Sequence, residues 1–268
     1  VVTSKFPWRD KSGEIKGTFG VSSDVTSLVL AQRQATELAN ELQHKNESYE
    51  EEVKLAREIQ QALATTEFPS VVSENGHHLT FGSRYLPISG LAGDFFEVIS
   101  LGDDRYGVFI CDVMGHGVRA ALVVSMLRGL LATQNVKSRD SAEFVGALNS
   151  GLTSILGRAN VTLFATAFYG IIDLAELTLE YSCAGHPGPV ITGNGRSLQL
   201  CPDRAGKGPA LGLLPGATYG STKINLGGIR RIQLFTDGVP DAATEAGEPF
   251  PEHRMLTLAG LHSEKTLH

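Results

Sequence analysis

Asp94-Phe-Phe-Glu-Val-Ile-Ser-Leu-Gly-Asp-Asp-Arg-Tyr-Gly-Val-Phe-Ile-Cys-Asp112 reads as two strands folded back on each other. Phe95 to Leu101 forms the first, Gly102-Asp-Asp104 the turn, and Tyr106 to Cys111 the second. An aspartate closes each outer end, so pairing the strands brings Asp94 and Asp112 side by side across the ladder. A third aspartate, Asp237, ends the apolar run Ile232-Gln-Leu-Phe-Thr236 and is followed by Gly238. Taken singly, each reads more simply as a turn or cap residue. Together they describe an oxygen-rich site for a hard divalent cation, because flanking glycines leave the approach to each carboxylate open. Val113-Met-Gly-His-Gly117 extends the same logic, since a glycine-bounded turn exposes backbone carbonyls that hard cations accept.

Working outward, strand patterns are expected at Leu79–Leu86, Leu163–Ile172, Leu177–Cys183, Gly188–Ile191, Leu198–Cys201, Tyr219–Ile224 and Arg231–Phe235. Helices are expected at Gly117–Ala132 and from Asp140 or Ser141 through Leu156, ended by Gly157. Short turns between strands, with the helices grouped, give an α+β fold with antiparallel sheets rather than βαβ units.

Upstream, Lys5–Trp8 and Gly17–Ser22 read as a hairpin, and a lone hairpin is marginal in water. Between Thr26 and Thr65 there is neither proline nor glycine. Positions 28, 35, 42, 49, 56 and 63 are Leu, Ala, Leu, Tyr, Ala and Leu, while Lys45 and Glu52 interrupt the companion positions and Val53 restores the seam. Two readings fit: an amphipathic helix lying on its own domain, or a parallel two-stranded coiled coil with a register shift. The narrow seam favours the coiled coil, and with it a homodimer through residues 27–66.

Composition narrows the classes. The 268 residues, 42% hydrophobic, suffice for one substantial core, and a net charge of −6 without a basic cluster argues against nucleic acid as partner. Cys111, Cys183 and Cys201 show no metal or disulfide spacing, which fits a reducing cytosol. No run reaches the roughly 18 apolar residues of a membrane span, so the expected compartment is cytoplasmic. The chain starts at Val1, which leaves room for an upstream anchor or sensor.

Several segments share one family's order: Arg-Glu-Ile-Gln-Gln at 57–61, Ala-Gly-Asp-Phe-Phe at 92–96, and Asp-Val-Met-Gly-His-Gly-Val at 112–118. Phe-Ala-Thr-Ala-Phe at 164–168, Cys-Ala-Gly-His-Pro at 183–187, Leu-Gly-Leu at 211–213 and Phe-Thr-Asp-Gly-Val at 235–239 follow in turn. They resemble the metal-dependent serine/threonine protein phosphatases (PPM), in the bacterial sporulation and stress-response branch typified by SpoIIE and RsbU. The hairpin with Gly17-Thr-Phe-Gly20 and Ser23-Asp-Val-Thr26 resembles the end of a PAS sensor domain. The resemblance implies a PAS remnant at 1–26, a helical coiled-coil linker at 27–66, and a phosphatase domain at 67–268. That domain would be an α-β-β-α sandwich of two antiparallel sheets flanked by helices.

The same resemblance implies a site for two divalent ions, Mn²⁺ or Mg²⁺. Asp112 would bridge them, the Val113 carbonyl would reach one, and Asp94 and Asp237 would complete the set, activating a water for in-line attack on phosphorus. Gly93, Glu97, Gly115, His116, Gly117, His186 and Gly238 would surround the ligands. For His116 and His186 a metal-ligand or general-acid role stands beside a loop-shaping one, which the family pattern favours. Arg84 and Arg119 stand as phosphate holders or as solvated surface arginines. The implied substrate is a phosphorylated anti-anti-sigma-type protein.

Two departures qualify the pattern. Ala92 and Glu97 replace a glycine and an aspartate, and the family's closing acidic pair has no counterpart in Glu252–His268, so the domain reads as C-terminally truncated. The missing pair supports an alternative, a weakly catalytic phosphoprotein-binding module that dimerises through its coiled coil. A sensor histidine kinase fails, because His44 lacks a phosphoacceptor context and no ATP-binding boxes are present.

Overall fold

A computed structural model describes residues 1–62, 68, 70–73, 75–86, 91–133, 140–159, 161–200, 207–243, 247–248 and 250–261. The chain divides into two compact units, Val1–Leu55 and Ala56–His268. In the first, β1 (Val2–Arg9) and β2 (Ile15–Ser23) form an antiparallel hairpin. Register and alternation gather Val2, Phe6, Trp8, Phe19 and Val21 on one of its faces, with Phe6 stacked on Phe19. Helix α1 (Thr26–Ala62) follows, 37 residues long, its start fixed by Asp24 Oδ1 accepting from the Thr26 amide and hydroxyl. Leu28, Leu38, Leu42 and Tyr49 are exposed along it, while Val53, Ala56 and Gln60 are partly buried.

In the second unit β3 (Val71–Val72) pairs with β4 (His78–Leu79), and β5 (Asp94–Gly102) pairs with β6 (Arg105–Val113). The strand expected at Leu79–Leu86 is confined to its first residue; residues 80–86 form no ladder. Between β5 and β6, Asp103 and Asp104 both take φ above +50°, the double left-handed turn that matches strand twist. Helices α2 (Val118–Thr133) and α3 (Ser141–Ala159) follow. Asp140 Oδ1 accepts from the Glu143 amide at 2.7 Å as the cap of α3. Gly157 does not end α3; its φ is not positive, and the helix runs on to Ala159.

Next come β7 (Ala165–Asp173), β8 (Thr178–Ala184), β9 (Val190–Gly193), β10 (Arg196–Gln199), β11 (Lys207–Gly208), β12 (Thr222–Asn225), β13 (Arg231–Gln233) and α4 (Glu252–Leu261). One sheet orders β11-β8-β7-β6-β5, with β12 also on the outer edge of β8; the other orders β10-β9-β13. All pairs are antiparallel except β11 with β8. The two-residue β11 and the helix α4 are additions to the sequence reading, although Pro251 directly before α4 is a helix-start signal.

Strand alternation builds the layers. Phe95, Phe109, Cys111, Val113, Ala167 and Tyr169 pack against Val123, Leu127, Phe144 and Leu148 of α2 and α3. The opposite face, with Ile110, Phe168, Tyr181 and Cys183, meets Ile191, Ile232 and Leu234 from the smaller sheet. Ser197 and Thr192 are paired across β9 and β10 on the face away from Ile191, and Ser197 Oγ lies against Gly260 of α4. The order is therefore helices, sheet, sheet, helix, the α-β-β-α sandwich. Cys111 and Cys183 are buried free thiols inside it.

Candidate metal centre

Asp94 and Asp112 are direct cross-strand partners, as the hairpin reading requires, and Thr166 of β7 is the partner of Asp112 on its other side. All three lie on the face turned toward the smaller sheet. Asp237 arrives from that sheet, four residues beyond β13, and its carboxyl is within hydrogen-bonding reach of Asp112. The site therefore sits between the two sheets, at the end where their strands finish. The Thr236 hydroxyl donates to Asp94 Oδ2 at 2.8 Å, and the Tyr85 hydroxyl to the Asp94 backbone carbonyl at 3.1 Å.

The electrostatics are those of crowded acids. Burial, then the charges of Asp94 and Asp237, push Asp112 from 3.8 up to about 7. Burial also raises Asp94, against the hydrogen bonds from Thr236 and Asp112 that favour its charged form; the Asp237 charge raises it further. No basic side chain figures among these influences on Asp112. Among the described residues no three His, Cys, Asp or Glu side chains already form a cage for an ion; the aspartates press on one another instead. Oxygen donors alone converge here, and a cation would relieve their repulsion, so the residues fit a hard divalent metal.

Gly93 makes the close approach possible. A Cβ there would stand 2.9 Å from the Val113 carbonyl oxygen and 3.2 Å from that of Gly115. These carbonyls belong to the turn in which Gly115 and Gly117 take φ of +84° and +79°. Gly93→Ala is therefore expected to displace the turn and lower activity by about tenfold or more, since misplacement by a fraction of an ångström is costly at a reacting centre. Gly238→Ala is the contrasting control. Gly238 has no positive φ and open space where a Cβ would go, so the freedom expected of it is not used. Steady-state kinetics of the two variants measure the difference.

His186 is buried, 6% exposed, and both ring nitrogens are engaged. Its Nε2 lies 3.1 Å from the Phe235 carbonyl and its Nδ1 2.9 Å from Thr166 Oγ1. A carbonyl only accepts, so Nε2 carries the proton and Nδ1 accepts from the threonine hydroxyl. Burial, opposed by the Phe235 bond, lowers its pKa to about 4. Both nitrogens of this neutral ring are thus taken up within the protein, by Thr166 and by the Phe235 carbonyl. His116, Arg84 and Arg119 are exposed. Glu97 is a correction: alternation puts it with Phe95 and Phe109 on the helix side, away from the face that carries Asp94. Tyr85, Thr166, Thr236 and Gln60 were not read from sequence as site residues. Gln60 of α1 makes two bonds with the backbone of Ala92, donating to its carbonyl at 2.9 Å and accepting from its amide at 3.1 Å. A glutamine three residues before position 63 of the repeat carries no such signal by itself; the bond depends on tertiary approach.

The family model of stage II sporulation protein E (SpoIIE) matches residues 102–268, a span that holds Asp112 and Asp237 and leaves Asp94 outside. Protein IcfG of Synechocystis is 27% identical over 241 residues, covering 80% of this chain and 37% of that protein. Phosphoserine phosphatase RsbP of Bacillus subtilis is 27% identical over 228 residues, covering 81% of this chain and 54% of RsbP. This chain thus spans about half, or less, of the length of these relatives. Among solved structures, the SiaA-PP2C domain of Pseudomonas aeruginosa superposes with a TM-score of 0.65 at 22% identity, covering 83% of this chain and 86% of that one, a likeness of fold. With more than half of its residues matched by the family model, the chain belongs to the SpoIIE family.

Proposed function

We propose that residues 67–268 form a metal-dependent phosphoserine/phosphothreonine protein phosphatase domain. The observation that carries the reading is the meeting of Asp94, Asp112 and Asp237 from two sheets at one end of the sandwich, with Asp112 pushed up to about 7 by its neighbours. Relatives with the phosphoserine phosphatase name support the substrate class. Asp112, central among the three, would bridge two Mn²⁺ or Mg²⁺ ions, with the Val113 carbonyl, Asp94 and Asp237 holding them from the sides. Bound metal supplies Lewis acidity toward the phosphoryl oxygens and lowers the pKa of the attacking water. The chain's own part is orientation: Thr236 fixes one Asp94 oxygen, Tyr85 fixes the Asp94 backbone, and the sheet ladder fixes Asp94 against Asp112.

We further read residues 27–66 as a homodimeric coiled-coil linker that follows a PAS-like segment, supported by the exposure of Leu28, Leu38, Leu42 and Tyr49 on α1. An anti-anti-sigma-type phosphoprotein is the proposed substrate. Among the described residues no helix is long and apolar enough to cross a membrane. The test is hydrolysis of p-nitrophenyl phosphate and of a phosphoserine protein with Mn²⁺, with Mg²⁺ and with chelator. Activity with either metal that chelator abolishes is the expected result; hydrolysis indifferent to chelator rejects the metal reading. Mn²⁺ binding without turnover would favour the phosphoprotein-binding alternative.

A further inference from the structure

We propose that His186 is a positioning residue, a strut that sets the separation between Asp112 on the larger sheet and Asp237 on the smaller one. The inference rests on the metal-dependent reading above. The backbone ladder fixes Asp94 against Asp112, but among the described residues no ladder joins the two sheets, and packed sheets can slide by small amounts without losing their apolar contact. A site that draws ligands from both needs a polar tie near the ligands. His186 supplies one. It follows Gly185, whose φ of +70° and packing against Ala210 direct the chain inward after β8. One ring nitrogen meets Thr166, the ladder partner of Asp112; the other meets the carbonyl of Phe235, two residues before Asp237. The ring is thus a spacer of fixed width between the carriers of two carboxylates.

Three replacements at this position separate spacing from bulk. The side-chain amide in His186→Gln can donate to the Phe235 carbonyl and accept from Thr166, keeping both ties. His186→Asn is too short to reach both, and His186→Ala keeps neither. Leu148→Ala, in the helix-side core, is the control for lost stability away from the site. Amide hydrogen exchange over residues 235–239 is measured without metal, and Mn²⁺ affinity by calorimetry, followed by kcat and KM.

For His186→Ala and His186→Asn, exchange in 235–239 should rise by about tenfold or more. Mn²⁺ affinity should fall by about 10–100-fold, the range seen when a partner of a metal ligand is removed, and kcat should fall more than KM changes. His186→Gln should remain within a few-fold of wild type, and Leu148→Ala should leave both local exchange and Mn²⁺ affinity unchanged. Unaltered exchange in His186→Ala, or identical effects in His186→Ala and Leu148→Ala, overturns the strut. Absence of Mn²⁺ binding by the wild-type protein overturns the metal reading instead, and the exchange data then still decide the strut.

Discussion

Asp112→Asn is expected to lower metal-dependent phosphatase activity by about 10³-fold and, in the same molecule, to stabilise the metal-free protein at pH 8. The first effect follows, on the proposed metal role, from losing the central ligand: several kcal/mol of charge stabilisation is at stake, and about 4 kcal/mol corresponds to 10³-fold in rate. The second follows from proton linkage. The folded-state pKa of Asp112 is raised from 3.8 to about 7, so its stabilising contribution is whole below about pH 3.8 and is lost as pH rises through 7. Above that pH the ionised carboxylate faces Asp94 and Asp237, and the amide removes that repulsion. Solvent screening of a half-buried group reduces the gain to about 1–2 kcal/mol.

His186 has the opposite slope. Its pKa is lowered to about 4 from 6.5, so its contribution is whole above pH 6.5 and is lost as pH falls toward 4. Between those values the two groups offset one another in the wild-type protein; Asp112→Asn should remove the Asp112 slope and leave that of His186 opposed by that of the raised Asp94. Urea denaturation across pH 4–8 with chelator measures both. A variant less stable than wild type at pH 8 would reject the electrostatic account, and retained activity would reject the ligand role.

Asn149→Ala should cost about 3 kcal/mol. Asn149 is fully buried on α3 and holds the 211–214 loop with both ends of its amide. Its Oδ1 accepts from the Gly212 amide at 2.9 Å and its Nδ2 donates to the Leu214 carbonyl at 3.0 Å. Alanine strands both backbone groups, at about 1–3 kcal/mol each for a buried unsatisfied partner. For a domain of this size the midpoint should drop by roughly 6–12 °C. The loop also pairs with the sheet beside the site, since Leu211 and Ala165 exchange backbone bonds at 2.8 and 2.9 Å. Calorimetry is the measurement; a loss below about 1 kcal/mol would mean that the loop finds other partners.

The hairpin at Asp94–Asp112 was legible because it is local. Alternation and an Asp-Asp turn set its register, and the register alone places two of the three carboxylates. The third, Asp237, was legible as a strand-end acid, but its approach depends on how two sheets stack, which no periodicity records. The same limit explains Thr236, Tyr85 and Gln60, whose partners lie 142, 9 and 32 residues away. Glu97 was placed near the ligands by the family resemblance, and strand parity turns it to the opposite face from Asp94. The run at Leu79–Leu86 has the apolar content of a strand, yet beyond Leu79 its backbone joins no ladder, and Phe81 packs against the inter-sheet core instead. β11 consists of two residues whose pairing with Cys183 and Ala184 is parallel, too short for any pattern to register.

The burial of Cys111 has a further consequence. This thiol is the immediate neighbour of Asp112, yet burial and the surrounding acids push it well above its ordinary value, and Cys183 is pushed up to about 12. The thiolate, not the thiol, is the nucleophile that reacts with peroxide and alkylating reagents. The Cys111 sulfur, packed in the helix-side core behind Asp112, therefore offers oxidants and alkylating reagents no foothold beside the carboxylates.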